Sequence, residues 1–449
     1  MKPFPSFKRA LLNGMLAALL LCSITHLSAH DSVPGAKQSQ PVAIKDVMIV
    51  PVSGPVIEKG TIVFSEGKIA ALGTDVAIPA GSKIIDGQGR RVVPAFIESW
   101  SYLGLREVGS VKATQDYDES GEINPNLHAH KAVNPDSELI PVTRANGIGL
   151  AITRPSGLIG GQASLIRLDG WTYEDMTLAP NVAMAMDWPQ TRFLNVPWLP
   201  QQRRDEFKKK REKDLAALEA FVKQARHYQQ AQDAAKEGKA KKPQPDPRLA
   251  AMDKVLRGEQ RVWIRANRAD EIHEAIDFCN RHDLKMVLVG GRQADQAVDQ
   301  LKRYGIPVIL HRTQALPSRR DEAYDHVYRM PAILHEAGVE FAITIGNTLG
   351  NDRNLPYQAA AAAAYGLDPA AALASITLAP AKIIGVADRV GSLEVGKDAT
   401  LILCDGDPLE ITTHVQAMFI EGAEVDLTSR HTRLWKKYET RIKRLNNGR

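Results

Sequence analysis

The feature that most constrains this chain is a hydrophobic period that changes twice along its length. Between residues 262 and 345 short apolar runs alternate with amphipathic segments. Val262-Trp263-Ile264 is followed by Ile272, Ala275, Ile276 and Cys279 at helical spacing. Met286-Val287-Leu288-Val289 is followed by Ala294, Ala297, Val298 and Leu301, and Pro307-Val308-Ile309-Leu310 by Ile333 and Leu334. Phe341-Ala342-Ile343-Thr344-Ile345 closes the series. Short strands separated by helices form parallel sheets, because a parallel neighbour is reached only by a crossover. The flanks differ. Residues 42–86 and 399–420 hold short apolar runs, with Gly54-Pro55, Glu66-Gly67, Asp86-Gly87, Gly391 and Gly396 as turns, a pattern of small strands. Two β-rich ends around a βα middle imply an α/β chain: at this length a (β/α)8 TIM-like barrel is the natural candidate, and the two ends are expected to meet as one discontinuous β-rich domain. At 449 residues and 44% apolar content the chain can fill both cores.

The expected boundaries are a leader over residues 1–29, the first part of the β-rich domain over 30–90, the barrel over 91–385, and the rest of that domain with a C-terminal helix over 386–449. In the leader, Lys2, Lys8 and Arg9 precede an apolar run over residues 10–24, and Ser28 and Ala29 supply the small residues of a cleavage site. That run is too short to span a bilayer, and no later one reaches about 18 apolar residues. The expectation is an exported protein, periplasmic or secreted, without a membrane span. Cys22 is a poor lipoprotein anchor, since Leu21 precedes it. The leader holds three basic residues and no acid, so the formal charge of +5 falls to +2 without it and gives no argument for nucleic acid.

Cys279 and Cys404 each sit in an apolar segment as small hydrophobes, although an oxidising compartment would permit a bridge between them. Residues 201–248 interrupt the barrel rhythm. There, Lys208-Lys209-Lys210-Arg211 and Lys239-Ala240-Lys241-Lys242 flank Leu215, Leu218, Phe221, Val222 and Ala225 at helical spacing, which predicts a solvated surface helix and then a mobile loop.

Pro94-Ala95-Phe96-Ile97-Glu98-Ser99-Trp100-Ser101-Tyr102-Leu103-Gly104 resembles the strand-one signature of the amidohydrolase superfamily, P-G-F-I-D-x-H-x-H-L-G. Gly391-Ser392-Leu393-Glu394-Val395-Gly396-Lys397-Asp398-Ala399-Thr400-Leu401 resembles the superfamily's C-terminal signature, and Ser375-Ile376-Thr377-Leu378-Ala379-Pro380-Ala381-Lys382 the segment before it. Imidazolonepropionase-like exported members are the nearest by this likeness. The resemblance implies a (β/α)8 TIM-like barrel with a small composite β-sandwich built from both chain ends, and hydrolysis of C–N bonds in cyclic amides, amidines or dipeptide-like substrates, with a divalent metal that acidifies a bound water and polarises the carbonyl.

It also implies where the metal ligands should stand. The two strand-one histidines are replaced by Trp100 and Tyr102, the fifth-strand histidine by Arg265, the sixth by Gly290, and the eighth-strand aspartate by Gly346 or Asn347. No strand-four ligand can be assigned. An indole N–H only donates, a guanidinium is a fixed cation and glycine has no side chain. The expectation is therefore a protein without a metal cofactor. Its role would be to bind a ligand, or to support a catalytically competent amidohydrolase paralogue or a homo-oligomer.

The alternative is an active zinc hydrolase with a relocated site. His128-Ala129-His130 is an H-x-H pair, though two exposed loop histidines would read the same. His311 ends the strand 307–310, where barrel chemistry sits, while His326 and His335 fit surface or packing positions. A further expectation is a pocket for a small anion formed by Arg265, Arg268, Arg292, His311, Arg312 and Asn347 on successive βα loops, because guanidinium forks suit carboxylate and phosphate. Ion pairs with Asp270, Glu271 or Asp295 would give the same sequence. Gly157-Leu158-Ile159-Gly160-Gly161-Gln162 lacks the lysine of a phosphate-binding loop and the dinucleotide spacing, and is expected to be a packing turn. No G-x-S-x-G or Cys–His nucleophile is present.

Overall fold

Both β-rich ends enter one sheet. The computed structural model describes residues 33–191, 198–346 and 350–447, so the leader with Cys22, and Asn347, lie outside the described residues. From the N-terminal side come β1 (Val42–Ile49), β2 (Ile57–Ser65), β3 (Lys68–Gly73), β4 (Lys83–Asp86) and β5 (Arg91–Pro94). Eight barrel strands follow: β6 (Phe96–Ser101), β7 (Ile148–Thr153), β8 (Gly161–Arg167), β9 (Thr177–Asp187), β10 (Arg261–Ala266), β11 (Met286–Gly290), β12 (Val308–Leu310) and β13 (Phe341–Ile343). β14 (Leu401–Cys404), β15 (Val415–Ile420) and β16 (Ala423–Glu424) then return to the first sheet, whose order is β16-β15-β14-β5-β1-β2-β3 with β4 beside β1.

The joint between the two ends is the antiparallel pair β5–β14, with Pro94 opposite Leu401 and Arg91 opposite Cys404. Alternate residues of these strands, among them Ile44, Ile62, Phe64, Leu401 and Phe419, bury one face. Phe64 and Phe419 meet edge to face at 4.9 Å. Because β5 pairs with β1 and β14, it belongs to this sheet, and the barrel begins at Phe96 rather than at residue 91. The break is at Ala95, whose amide donates to Thr400 O at 3.1 Å.

The barrel sheet runs β6 to β13 in chain order, and its strands are parallel except for β8. β7 reaches β8 through residues 154–160 alone, too short for a crossover, so the two strands must be antiparallel. This connection is the Gly157-to-Gln162 turn. Gly157 has φ +146°, and a Cβ on Gly160 would lie 2.8 Å from the Ser156 backbone. The β13–β6 seam is bridged by the segment before the last barrel helix, where Ile97 N donates to Ile376 O and Ile343 N to Ser375 O.

Leu150, Ile152, Leu165, Ala183, Ala185, Trp263, Val287, Val289, Ile309 and Ala342 fill the barrel interior at period two, with Trp100 stacked on Trp263 at 6.2 Å. Outside, the helix Ala269–Arg281 buries Ile272, Ala275, Ile276, Phe278 and Cys279. The charged segment forms one helix, Gln201–Lys236, which buries Leu218, Phe221, Val222, Ala225 and Gln229. Its basic face is not wholly solvated, since Arg211 pairs with Glu274 and donates to Pro189 O. Cys279 and Cys404 are both buried and free, so the permitted bridge is not made. Among the described residues no helix is long and apolar enough to cross a membrane.

Candidate functional site

One step past the apolar layers, the inward positions become polar. On β7 the inward series Leu150, Ile152 continues to Arg154; on β9 Ala183, Ala185 continues to Asp187; on β10 Trp263 is followed by Arg265; and Ile309 and Ala342 are followed by His311 and Thr344. All of these lie at the carboxyl ends of barrel strands, where a barrel builds its sites.

Arg154 is fully buried, with its guanidinium 4.1 Å from the Trp100 ring centre and 4.4 Å from that of Tyr102. Tyr102 is in turn stacked on Tyr117 at 4.3 Å. The two aromatic residues at the strand-one ligand positions therefore hold a cation by its π-face. Arg154 Nη1 lies 3.5 Å from Asp187 Oδ1, and Arg265 Nε donates to the same oxygen at 2.7 Å. Burial alone would raise the Asp187 pKa, but Arg154 and Arg265 outweigh it and hold the carboxyl well below its ordinary range. Asp187 ends the fourth strand, so the strand-four position carries a carboxylate, already committed to two guanidiniums.

The glycines at the sixth and eighth positions are filled by their neighbours. A Cβ on Gly346 (φ +66°) would stand 2.9 Å from the His311 ring, and one on Gly290 (φ +96°) 2.5 Å from Asn267 Oδ1. Burial, then Arg265 and Arg154, push His311 down to about 3, so the imidazole is neutral. Its Nε2 is buried with no hydrogen-bond partner among the described residues. On strand one, buried Glu98 accepts from Trp100 N at 3.1 Å, Ile345 N at 3.2 Å and the Thr344 hydroxyl, which also ties β6 to the end of β13. Burial and the nearby charge of Asp352 push Glu98 up to about 8, and burial pushes Asp352 up to about 7.

Five of the six residues expected around an anion line one cavity of 740 Å³ at the mouths of β10, β11 and β12: Arg265, Arg268, Arg292, His311 and Arg312. Asn347 lies outside the described residues. Leu310, Val327, Met330 and Trp198 supply apolar wall. Part of the positive charge is internally matched, since Arg268 pairs with Asp270 at 3.3 Å and Arg292 with Glu322 at 2.9 Å. Glu271 instead accepts from Asn267 N and Arg268 N at the start of its helix and from Thr191, and Asp295 faces His326 at 3.6 Å. Two guanidiniums share Asp187, and Arg312 has no hydrogen bond or ion pair among the described residues, so the mouth keeps a surplus of positive charge.

The H-x-H pair is elsewhere. His128 Nδ1 bonds Asn181 Oδ1 at 2.7 Å and His130 Nδ1 bonds Ser164 Oγ at 3.0 Å, beside the middle of β8 and β9. Both are half-buried rather than exposed, because these strands cover them. His335 is exposed on its helix. Among the described residues no three His, Cys, Asp or Glu side chains converge as a metal would require. The donors at the expected ligand positions do not fit a divalent cation: an indole, a phenol against a guanidinium, a second guanidinium, two filled glycine positions and a carboxylate already paired.

Sequence reasoning missed Arg154, Asp187 and Glu98. The signal for the first two is period two: Ile148-Gly149-Leu150-Ala151-Ile152-Thr153 and Ala183-Met184-Ala185-Met186 each place a charged residue at the next inward position.

The family model described as the amidohydrolase family matches residues 265–428. Amidohydrolase tasK of Hapsidospora irregularis is 24% identical over 401 residues, 82% of this chain, and the chain spans 39% of that protein's length. A crystal structure of an amidohydrolase from Thermotoga maritima MSB8 superposes with a TM-score of 0.76 at 24% identity, over 86% of this chain and 99% of that one. A structure of molinate hydrolase superposes with a TM-score of 0.52 at 14% identity, over 88% and 96% of the two chains.

Proposed function

Because the chain belongs to the amidohydrolase superfamily and does not carry the ligand set that scaffold uses for its metal, we propose that it is a metal-independent binding protein for a small carboxylate- or phosphate-bearing ligand. The observation that carries this reading is Arg154, buried between Trp100 and Tyr102 and sharing Asp187 with Arg265 at the carboxyl ends of the barrel strands. On this reading a fixed organic cation takes the part that the resemblance gives to a metal ion. The cavity above it offers Arg268, Arg292 and Arg312 as planar forks for an anion, with Leu310, Val327 and Met330 for an apolar portion. The neutral His311 adds an unpartnered ring nitrogen without adding charge. The basic and apolar start of the chain supports export, so the ligand would be met outside the cytoplasm.

Calorimetric titration and thermal shift with phosphate, monocarboxylates and dicarboxylates test this. A ligand at about a hundred times its Kd adds about 2.7 kcal/mol to stability, a plain rise in Tm. Arg312→Gln should weaken binding without lowering the unliganded Tm, because Arg312 has no hydrogen-bond or ion-pair partner among the described residues. If none of these anions raises the Tm, the binding role is wrong.

A further inference from the structure

The helix Arg430–Asn447 is the one long element whose apolar residues the protein leaves uncovered among the described residues. None of its residues is buried, although it carries Leu434, Trp435, Tyr438, Ile442 and Leu445, which are between 39% and 65% exposed. At 3.6 residues per turn these five fall within an arc of about 100° on one face. The opposite and flanking arc is basic. Arg430, Arg433, Lys436, Lys437, Arg441, Lys443 and Arg444 stand there against a single acid, Glu439, which is taken by Lys443 at 2.9 Å. Among the described residues, the hydrogen bonds that tie it to the body of the protein lie at the start of the helix. Arg433 donates to Glu138 at 3.4 Å, the Arg353 guanidinium meets the His431 ring, and Ser429 and Thr432 close the first turn.

We propose that this helix is a peripheral docking element for an anionic lipid surface, on which it lies in the plane of the headgroups. Three features select that occupant. The charge is complementary, since each Lys or Arg near an anionic bilayer attracts it and one acid is too few to offset seven bases. The stripe has interfacial chemistry, with Trp435 and Tyr438 as amphipathic rings between Leu434, Ile442 and Leu445. The stripe is also about three turns long, too short for a stable coiled coil, and pairing with a second copy would set two strongly basic helices together. The barrel mouth plays no part in this contact, so the proposal stands apart from the anion pocket.

Co-sedimentation of the full chain with vesicles tests it. The protein should pellet with mixed phosphatidylcholine and phosphatidylglycerol vesicles, far less with phosphatidylcholine alone, and progressively less as salt is raised. Lys437→Gln with Arg441→Gln should weaken binding about thirtyfold, at about fivefold per cation lost. Trp435→Ser with Ile442→Ser should weaken it comparably. Neither pair buries anything, so the Tm of each variant should match the parent. Protein left in the supernatant, or equal binding to neutral vesicles, overturns the proposal. So does a dimer in solution that the Trp435 and Ile442 substitutions dissolve, or binding to polyglutamate as tight as to vesicles and indifferent to those two substitutions.

Discussion

Asp187 shows how tightly the barrel mouth is constrained, because one carboxylate holds two guanidiniums, one of them fully buried. Removing one partner of a buried ion pair leaves the other uncompensated, at a cost of about 3–5 kcal/mol. Asp187→Asn should therefore lower stability by that order in urea denaturation, and far more than Asp270→Asn at the exposed Arg268 pair. The two vacated glycine positions respond differently from a missing ligand. Gly290→His and Gly346→Asp would restore the superfamily residues, yet each new side chain meets Asn267 or His311 at a positive φ. Each should destabilise by about 1–3 kcal/mol and bring no metal with it. The pH dependence has a defined sign. Glu98 and Asp352 hold protons more tightly folded than unfolded, so the stability they contribute is full below their ordinary pKa values of 4.5 and 3.8 and is lost as pH rises through about 7 to 8. His311 acts oppositely, with stability present above 6.5 and lost as pH falls toward about 3. Asp352→Asn should flatten the alkaline limb in denaturation curves taken across pH, and an unchanged limb would contradict the assignment.

The strands and helices after residue 261 could be anticipated because each carries its own period, and the structure places β10, β11, β12 and β13 on the expected runs. The hairpins around β8 could not be anticipated so easily. Gly161-Gln162-Ala163-Ser164-Leu165-Ile166-Arg167 is apolar enough for a central strand of either direction, and only the brevity of residues 154–160 makes it antiparallel. Missing that strand hid Asp187, since without β8 and β9 in register the fourth-strand end cannot be counted. The arginines around the cavity were visible because each follows directly on a strand. Arg154 was hidden because Pro155 beside it makes the segment read as a turn. The helix Gln201–Lys236 was legible despite its density of charge, since Leu218, Phe221, Val222 and Ala225 recur at helical spacing and are buried, and only buried Gln229 gave no apolar signal. Leu218→Ala should cost about 2–5 kcal/mol in denaturation while leaving anion affinity unchanged, which separates the structural role of this insertion from any role in the site.

Taken as one object, the chain joins a composite sandwich to a barrel whose mouth gathers two guanidiniums around one carboxylate. Its two halves were foreseen from the matching β-rich ends, and the pair β5–β14 is where they join. Around the positions where the resemblance expects metal ligands stand Trp100, Tyr102, Arg154, His311 and Asn267, and Asp187 balances part of the charge. On the proposed reading, a mouth lined in this way binds an anion rather than a divalent ion. Elemental analysis of the purified chain, after equilibration with excess zinc and exhaustive dialysis, tests that most directly. Zinc should fall far below one equivalent per chain; one tightly retained equivalent, lost on substituting Asp187 or His311, would overturn the metal-independent reading.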